Sequence, residues 1–223
     1  MERKVLLNGE AVPYDAPLPE LDALLRDKRM QNYCLACEAL SWREDEEAFQ
    51  LLAEQLEVSD RWRALYAFRV IYRSPYAGGL APFAVQQLQS ENEGFSQAAL
   101  WVLEEYDLPC PENLLKDTIG RYFDQLGEEL CLLYRLTDTP ENAQFLRNLF
   151  QRAGSCSQQE ILADVLLERY EESQAEELYA LLGSSAYGKV RKKAVDLAKR
   201  RGLDFSAFRD DPDGHVRMAA VTQ

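Results

Sequence analysis

Apolar residues fall in pairs four apart along most of the chain: Leu21 with Leu25, Leu52 with Leu56, Ala84 with Leu88, Leu115 with Ile119, Leu146 with Phe150 and Leu178 with Leu182. A step of four puts both members on one face of an α-helix. The later members are 31, 32, 31, 31 and 32 residues apart, so one helix recurs with a nearly fixed period. A second series with the same period lies between them, Ala36 with Leu40, Ala67 with Ile71, Ala99 with Leu103, Leu130 with Tyr134 and Leu162 with Leu166. Each period therefore holds two helices, a pair too small to bury its apolar face until a neighbour stacks on it. The pattern predicts an all-α fold, an α-solenoid of about six to seven helical pairs.

Breaks separate the helices. Ser74-Pro75 with Gly78-Gly79, Pro109 with Pro111, and Thr137 to Pro140 interrupt the pattern at matching phases, while Pro82 and Pro140 suit the first turn of the helix that follows. Asp138 or Thr139, and Ser59 or Asp60, are of the types that accept hydrogen bonds from free first-turn amides. The predicted pairs are 28–57, 60–89, 93–120, 122–152 and 157–183, after a lone helix at 18–27 and before a last element at 186–223. Residues 1–17 read differently. Val5-Leu6-Leu7, Asn8-Gly9 and Ala11-Val12 resemble a short hairpin with an Asn-Gly turn, capping the repeat domain of 18–223; a disordered leader is the alternative.

Composition narrows the classes. With 47% hydrophobic and 28% charged residues the chain has the make-up of a folded protein, and no apolar run approaches the roughly 20 residues of a membrane span. Five cysteines without framework spacing suit reduced thiols, and with no signal-peptide pattern at the start they point to the cytoplasm. A net charge of −13 opposes nucleic-acid binding, which relies on Lys and Arg displacing counterions. The charge is uneven: 1–183 carries 16 Lys and Arg against 33 Asp and Glu, whereas 184–223 carries 9 against 5.

The C-terminal segment Asp211-Pro212-Asp213-Gly214-His215-Val216-Arg217-Met218-Ala219-Ala220-Val221 resembles the first helix of a HEAT repeat, an acidic turn followed by Val-Arg and alanines. Lys189 to Val195 is a second copy and Asp60 to Ala67 a looser third. The resemblance, to the short bacterial HEAT-like repeats, covers about 18–221. It implies scaffolding or partner binding, with HEAT-like bilin lyases and alkylpurine DNA glycosylases as enzymatic relatives. At Gly127 and Gln159 the Val-Arg pair is absent, so an Asp–Arg side-chain series of the family kind is expected to break there.

In such solenoids the second helices line the concave surface, and two polar rows follow the register: Glu54, Gln86, Asp117 and Asn148, then Gln50, Asn113, Gln144 and Glu176. These rows are expected to grip a protein or peptide segment, with basic side chains favoured; an ordinary solvated helix face is the alternative reading. Trp101 shares its column with Glu38, Arg69, Leu132 and Asp164, and so is either an exposed anchor or a ring lying across the next repeat. Trp42 is similarly placed, and Trp62 is expected to pack near a helix start.

Lys189, Arg191, Lys192, Lys193, Arg200 and Arg201, with Lys199, form a basic end suited to phosphates or an acidic partner, or to helix-end charge alone. Cys34-x-x-Cys37 invites a metal reading, but Cys37 aligns with Phe68, Leu100, Cys131 and Ala163, a core column, and the single histidine, His215, lies far along the chain. No metal, cofactor or catalytic set is expected, since adjacent carboxylates such as Glu104-Glu105 do not face each other on a helix. The last stretch resembles a first helix without its second, and an apolar edge that pairs with another chain or closes as a short cap is expected there.

Overall fold

Capping residues and four-residue steps resolve into eleven α-helices among the described residues, which in the computed structural model are Leu6, Leu7 and 9–221. They are α1 (Leu18–Leu25), α2 (Met30–Ser41), α3 (Glu46–Glu54), α4 (Arg61–Ile71), α5 (Ala81–Gln87), α6 (Glu93–Glu105), α7 (Glu112–Tyr122), α8 (Pro140–Arg152), α9 (Cys156–Gly183), α10 (Gly188–Arg201) and α11 (Gly214–Val221). Side-chain caps start several of them. Asp45 accepts from the Ala48 amide at 2.8 Å, Asp60 from Trp62 at 3.0 Å, Asn92 from Gly94 at 3.0 Å, Thr139 from Asn142 at 3.2 Å and Ser155 from Gln158 at 3.2 Å. Helix α9 bends at Gln174, whose φ of −140° and ψ of 25° are not helical. Gly94 permits a close approach of α6 to α4, because a Cβ there would meet the Leu65 side chain at 2.9 Å.

Both periodic series lie in the core. All twelve residues of the second-helix columns are buried, as are Ala36, Ala67, Ala99, Leu130 and Leu162 and every member of the companion column except half-buried Tyr134. Packing divides the chain into two compact units, 1–118 and 119–223, the boundary falling within α7. In the first unit, α2 packs on α1, α3 and α4, and α4 on α6. In the second, α9 packs on α8 and α10, and α10 on α11.

The N-terminal hairpin forms as β1 (Leu6–Leu7) paired antiparallel with β2 (Glu10–Ala11), Leu6 opposite Ala11. Gly9, at φ 89°, supplies the left-handed turn residue; Val5 and Asn8 of the expected hairpin lie outside the described residues. Gln31 on α2 donates to the Leu7 carbonyl at 2.8 Å and Val12 is buried, so the hairpin is tied to the first helices.

One first helix departs from expectation. Glu128–Arg135 is a 3₁₀-helix, not an α-helix. Its turn of three residues brings Leu130, Leu133 and Leu136 to one buried side and also buries Leu132, while Cys131 swings outward. Cys131 thus leaves the core column that Cys37, Phe68, Leu100 and Ala163 occupy, all four fully buried. Arg169 on α9 holds the segment in place, donating to the carbonyls of Tyr134 and Leu136 and pairing with Asp138 at 2.6 Å.

The Asp–Arg pair made by Arg191 has no counterpart at Gly127 and Gln159, where other donors serve the helix ends. Arg191 Nη1 donates to the Ser185 carbonyl at 2.9 Å, just past the end of α9, while its remaining nitrogens hold Asp211 at 2.7 Å. One period earlier Gln159 donates to the carbonyls of Phe150 and Ala153 at 3.3 and 3.4 Å, at the end of α8. In the first unit Ser96 is the donor, to the carbonyls of Gln87 at 3.3 Å and Ser90 at 3.2 Å, at the end of α5. Gly127 has no side chain to offer, and Gln158 covers for it by donating to Phe123 and Leu126 at 3.1 and 3.3 Å. These donors add hydrogen bonds to carbonyls at and just past helix ends, of which Gln87, Phe123 and Phe150 also receive a backbone amide.

Candidate functional site

Each second helix buries one stripe and turns the opposite one outward, and this decides where the predicted polar rows lie. In α3 the buried residues are Ala48, Phe49 and Leu52, which leaves Gln50 and Glu54 exposed. Gln86 on α5 is exposed, as are Asn113 and Asp117 on α7, beside buried Leu115 and Thr118. In the second unit α8 exposes Gln144 and Asn148, the Gln144 amide donating to Asn148 Oδ1 at 2.9 Å. Glu176, in the part of α9 beyond the bend, is exposed as well, next to Glu177, which pairs with Arg147 at 2.8 Å. All eight row positions therefore face solvent. Glu46, Glu47 and Glu57 are exposed in and beside α3, so the surface around Gln50 and Glu54 is acidic.

The basic end is internally compensated. Lys189 pairs with Glu160 at 3.5 Å, Lys192 with Asp196 at 2.7 Å and Lys193 with Asp164 at 2.5 Å. Arg200 and Arg201 share Glu171 at 3.0 and 3.2 Å, and Arg191 holds the buried Asp211 through two bonds of 2.7 Å. The Arg191 guanidinium holds the Asp211 carboxyl below the usual carboxylate range. All six predicted basic residues thus have carboxylate partners. Lys189, Lys193 and Arg200 find theirs 29 residues earlier, on the neighbouring helix, a spacing visible in the sequence once the period is known.

The three tryptophans take three different positions. Trp101 is half-buried, its ring 6.1 Å from that of Tyr72 and 5.5 Å from the Arg69 guanidinium. Trp42 is 47% exposed, with Arg73 over it at 5.4 Å; Arg73 also lies 5.5 Å from the Tyr72 ring. These rings and cations form a packed strip across α2, α4 and α6. Beneath it Glu38 receives the Tyr66 hydroxyl at 3.0 Å and pairs with Arg73. Burial first, then the Glu38 charge, pushes the Tyr66 phenol well above its ordinary range.

Trp62, expected to be packed, is 76% exposed. The buried residues of α4 are Ala64, Leu65, Ala67, Phe68, Val70 and Ile71, and Trp62 lies on the opposite stripe with Arg69, so its place on the helix overrides its apolar bulk.

The Cys34 and Cys37 thiols are both free, and burial raises both above the ordinary thiol range. Raised thiols are poor ligands and nucleophiles. Among the described residues no group of three or more His, Cys, Asp or Glu side chains is arranged to hold a metal ion, and no helix is long and apolar enough to cross a membrane. The compensating acids, the exposed Trp62 and the donors Ser96, Gln158 and Gln159 are features that the periodic reading missed. A scan against protein-family models finds no match to this chain, and a search of curated proteins finds none.

Proposed function

We propose that the chain is a cytoplasmic, non-enzymatic HEAT-like α-solenoid of about six to seven helical pairs that binds a protein or peptide of basic character through its second helices. The observation that carries this reading is the exposure of all eight polar row residues, with Gln50 and Glu54 set among the exposed Glu46, Glu47 and Glu57. Carboxylates and amides on rigid helices offer acceptors to Lys and Arg side chains, and complementary charge accelerates encounter. Stacking of successive pairs within each unit is supported by hydrogen bonds that span about one period. Tyr33 donates to the Arg63 carbonyl and Tyr106 to that of Tyr72, in the first unit; Tyr187 donates to that of Gly154 in the second. The internal pairing of the basic end favours a protein partner over a nucleic acid, because compensated cations release few counterions.

The test is affinity capture with crosslinking mass spectrometry in the native host, comparing the wild-type chain with the Glu54→Lys, Asp117→Lys double variant. A partner whose crosslinks fall on the second helices and whose recovery drops with the charge reversal is expected. Unchanged recovery, or crosslinks confined to the first helices, would sink the reading.

A further inference from the structure

Trp62 and its neighbours at the start of α4 differ in chemistry from the acidic row residues of α3. Arg63 docks the start of α4 onto the turn between α1 and α2, donating to the carbonyls of Leu25 at 3.0 Å and Asp27 at 2.7 Å. The Tyr33 hydroxyl closes the junction from the other side, donating to the Arg63 carbonyl at 2.8 Å. The first turn of α4, with exposed Arg61 and Trp62, is thereby held beside the turn that carries the exposed residues Arg26, Lys28, Arg29 and Met30.

The charges of this edge sort cleanly. Arg26 pairs with Asp22 at 2.8 Å, Arg29 with Asp27 at 3.4 Å, and Arg63 reaches Asp60 at 3.7 Å. Lys28 and Arg61 are exposed and form no ion pair among the described residues; the Arg61 guanidinium lies 6.0 Å from the Phe95 ring. The first turn of α4 and the turn it docks on thus carry two cations without an ion pair among the described residues, together with an exposed indole, in a unit where 1–118 carries 11 Lys and Arg against 21 Asp and Glu. The contrast with the C-terminal basic end is direct, since there all six predicted cations are held by acids. Trp62 itself makes no ring or cation contact among the described residues, unlike Trp42 and Trp101 in their packed strip.

We infer that the edge formed by Lys28, Met30, Arg61 and Trp62 is a second docking surface, and that its occupant is a short acidic peptide segment carrying an apolar or aromatic residue. Charge complementarity selects the acid: the two cations face solvent and form no ion pair among the described residues. The indole supplies the anchor, a large rigid apolar surface that loses little freedom when covered. The small footprint selects a peptide over a nucleic acid or an anionic membrane. A long polyanion laid on this edge would extend over the acidic remainder of the unit and be repelled by it. This surface does not depend on the second-helix reading, and its occupant has the opposite charge.

The test pans a phage-displayed library of random peptides of about 12 residues on the full chain, with counter-selection against Trp62→Ala. With its ring three-quarters exposed, Trp62→Ala is expected to keep wild-type helix content by circular dichroism. Clones that depend on Trp62 are expected to combine Asp or Glu with Leu, Ile or an aromatic residue. A synthetic copy of the most enriched peptide should lose at least about tenfold in affinity to Trp62→Ala, and as much to the Lys28→Glu, Arg61→Glu pair, while Trp62→Phe recovers most of it. It should also shift the Trp62 indole N–H resonance. The proposal is overturned if no clone depends on Trp62, if the dependent clones are basic, or if single-stranded RNA or phosphatidylserine vesicles bind this edge more tightly than the peptides. Probe and substitutions differ from those of the second-helix test, so either reading can fail alone.

Discussion

Removing the Asp211 carboxylate is the sharpest test of how the second unit is held together. Its side chain is 5% exposed and that of Arg191 12%, and two bonds of 2.7 Å join them in a fork. Asp211 also accepts the Asp213 amide at 2.8 Å, which fixes the turn before α11. Asp211→Ala leaves Arg191 buried with only the Ser185 carbonyl and unpairs that amide, which is expected to cost about 3 to 5 kcal/mol. The loss is best read as hydrogen exchange of α10 and α11 amides, because Trp42, Trp62 and Trp101 all lie in 1–118 and report nothing of this region. At about 1.4 kcal/mol per tenfold, exchange there should accelerate by roughly 10² to 10³-fold or somewhat more. Replacing both partners by apolar residues, Arg191→Met with Asp211→Leu, should cost less than the single changes added together, since no charge is then stranded. The pH dependence follows from the lowered carboxyl of Asp211. A depressed folded value means that the stabilisation is complete above the unfolded value of about 3.9 and disappears as pH falls through the folded one. The gap between wild type and Asp211→Asn should therefore be full at neutral pH and close in acid. Single substitutions that speed exchange by less than about tenfold, or that simply add in the double variant, would refute the reasoning.

Two other expectations concern single side chains. Gln159→Leu strips the donor from the carbonyls of Phe150 and Ala153 and the acceptor from the Ser185 hydroxyl, so a loss of about 1 to 3 kcal/mol is expected by urea denaturation, and one below about 0.5 would contradict the capping role. Iodoacetamide on the native protein should modify exposed Cys131 and spare Cys37, whose thiol is fully buried and raised by that burial; equal labelling by peptide mass spectrometry would contradict the placement of both.

The columns were legible because burial at a fixed helical phase needs only an apolar side chain, and Leu25, Leu56 and Leu88 state that phase without ambiguity. Cys131 and Leu132 were not, because their outward and inward turns depend on a 3₁₀ twist that the α-helical register does not contain. Trp62 was misplaced by residue type: a large ring suggests packing, but its stripe on α4 faces water. The family resemblance marked the loss of the Asp–Arg pair at Gln159 but carried no sign of the donor that replaces it. Any side chain that can donate to a helix-end carbonyl serves, and Ser96, Gln158 and Gln159 all do. The eight row residues are exposed, as their helical phase implies, whereas the compensation of the basic end lies in pairings that no single column shows: four cations reach acids 29 or 30 residues earlier, Lys192 pairs within its own helix and Arg191 with Asp211.

The donors that finish helix ends come from downstream in the chain: the end of α5 is completed by Ser96, that of α8 by Gln159 and that of α9 by Arg191. In these three cases the helix end gains its side-chain donor only after the following segment has folded onto it. Stability of this kind resides in the junctions between neighbours, not in the pairs themselves. Damage at one junction should consequently propagate backwards, loosening the preceding helix's last turn before the helix that carries the substitution, and exchange protection within each unit should be lost in that direction.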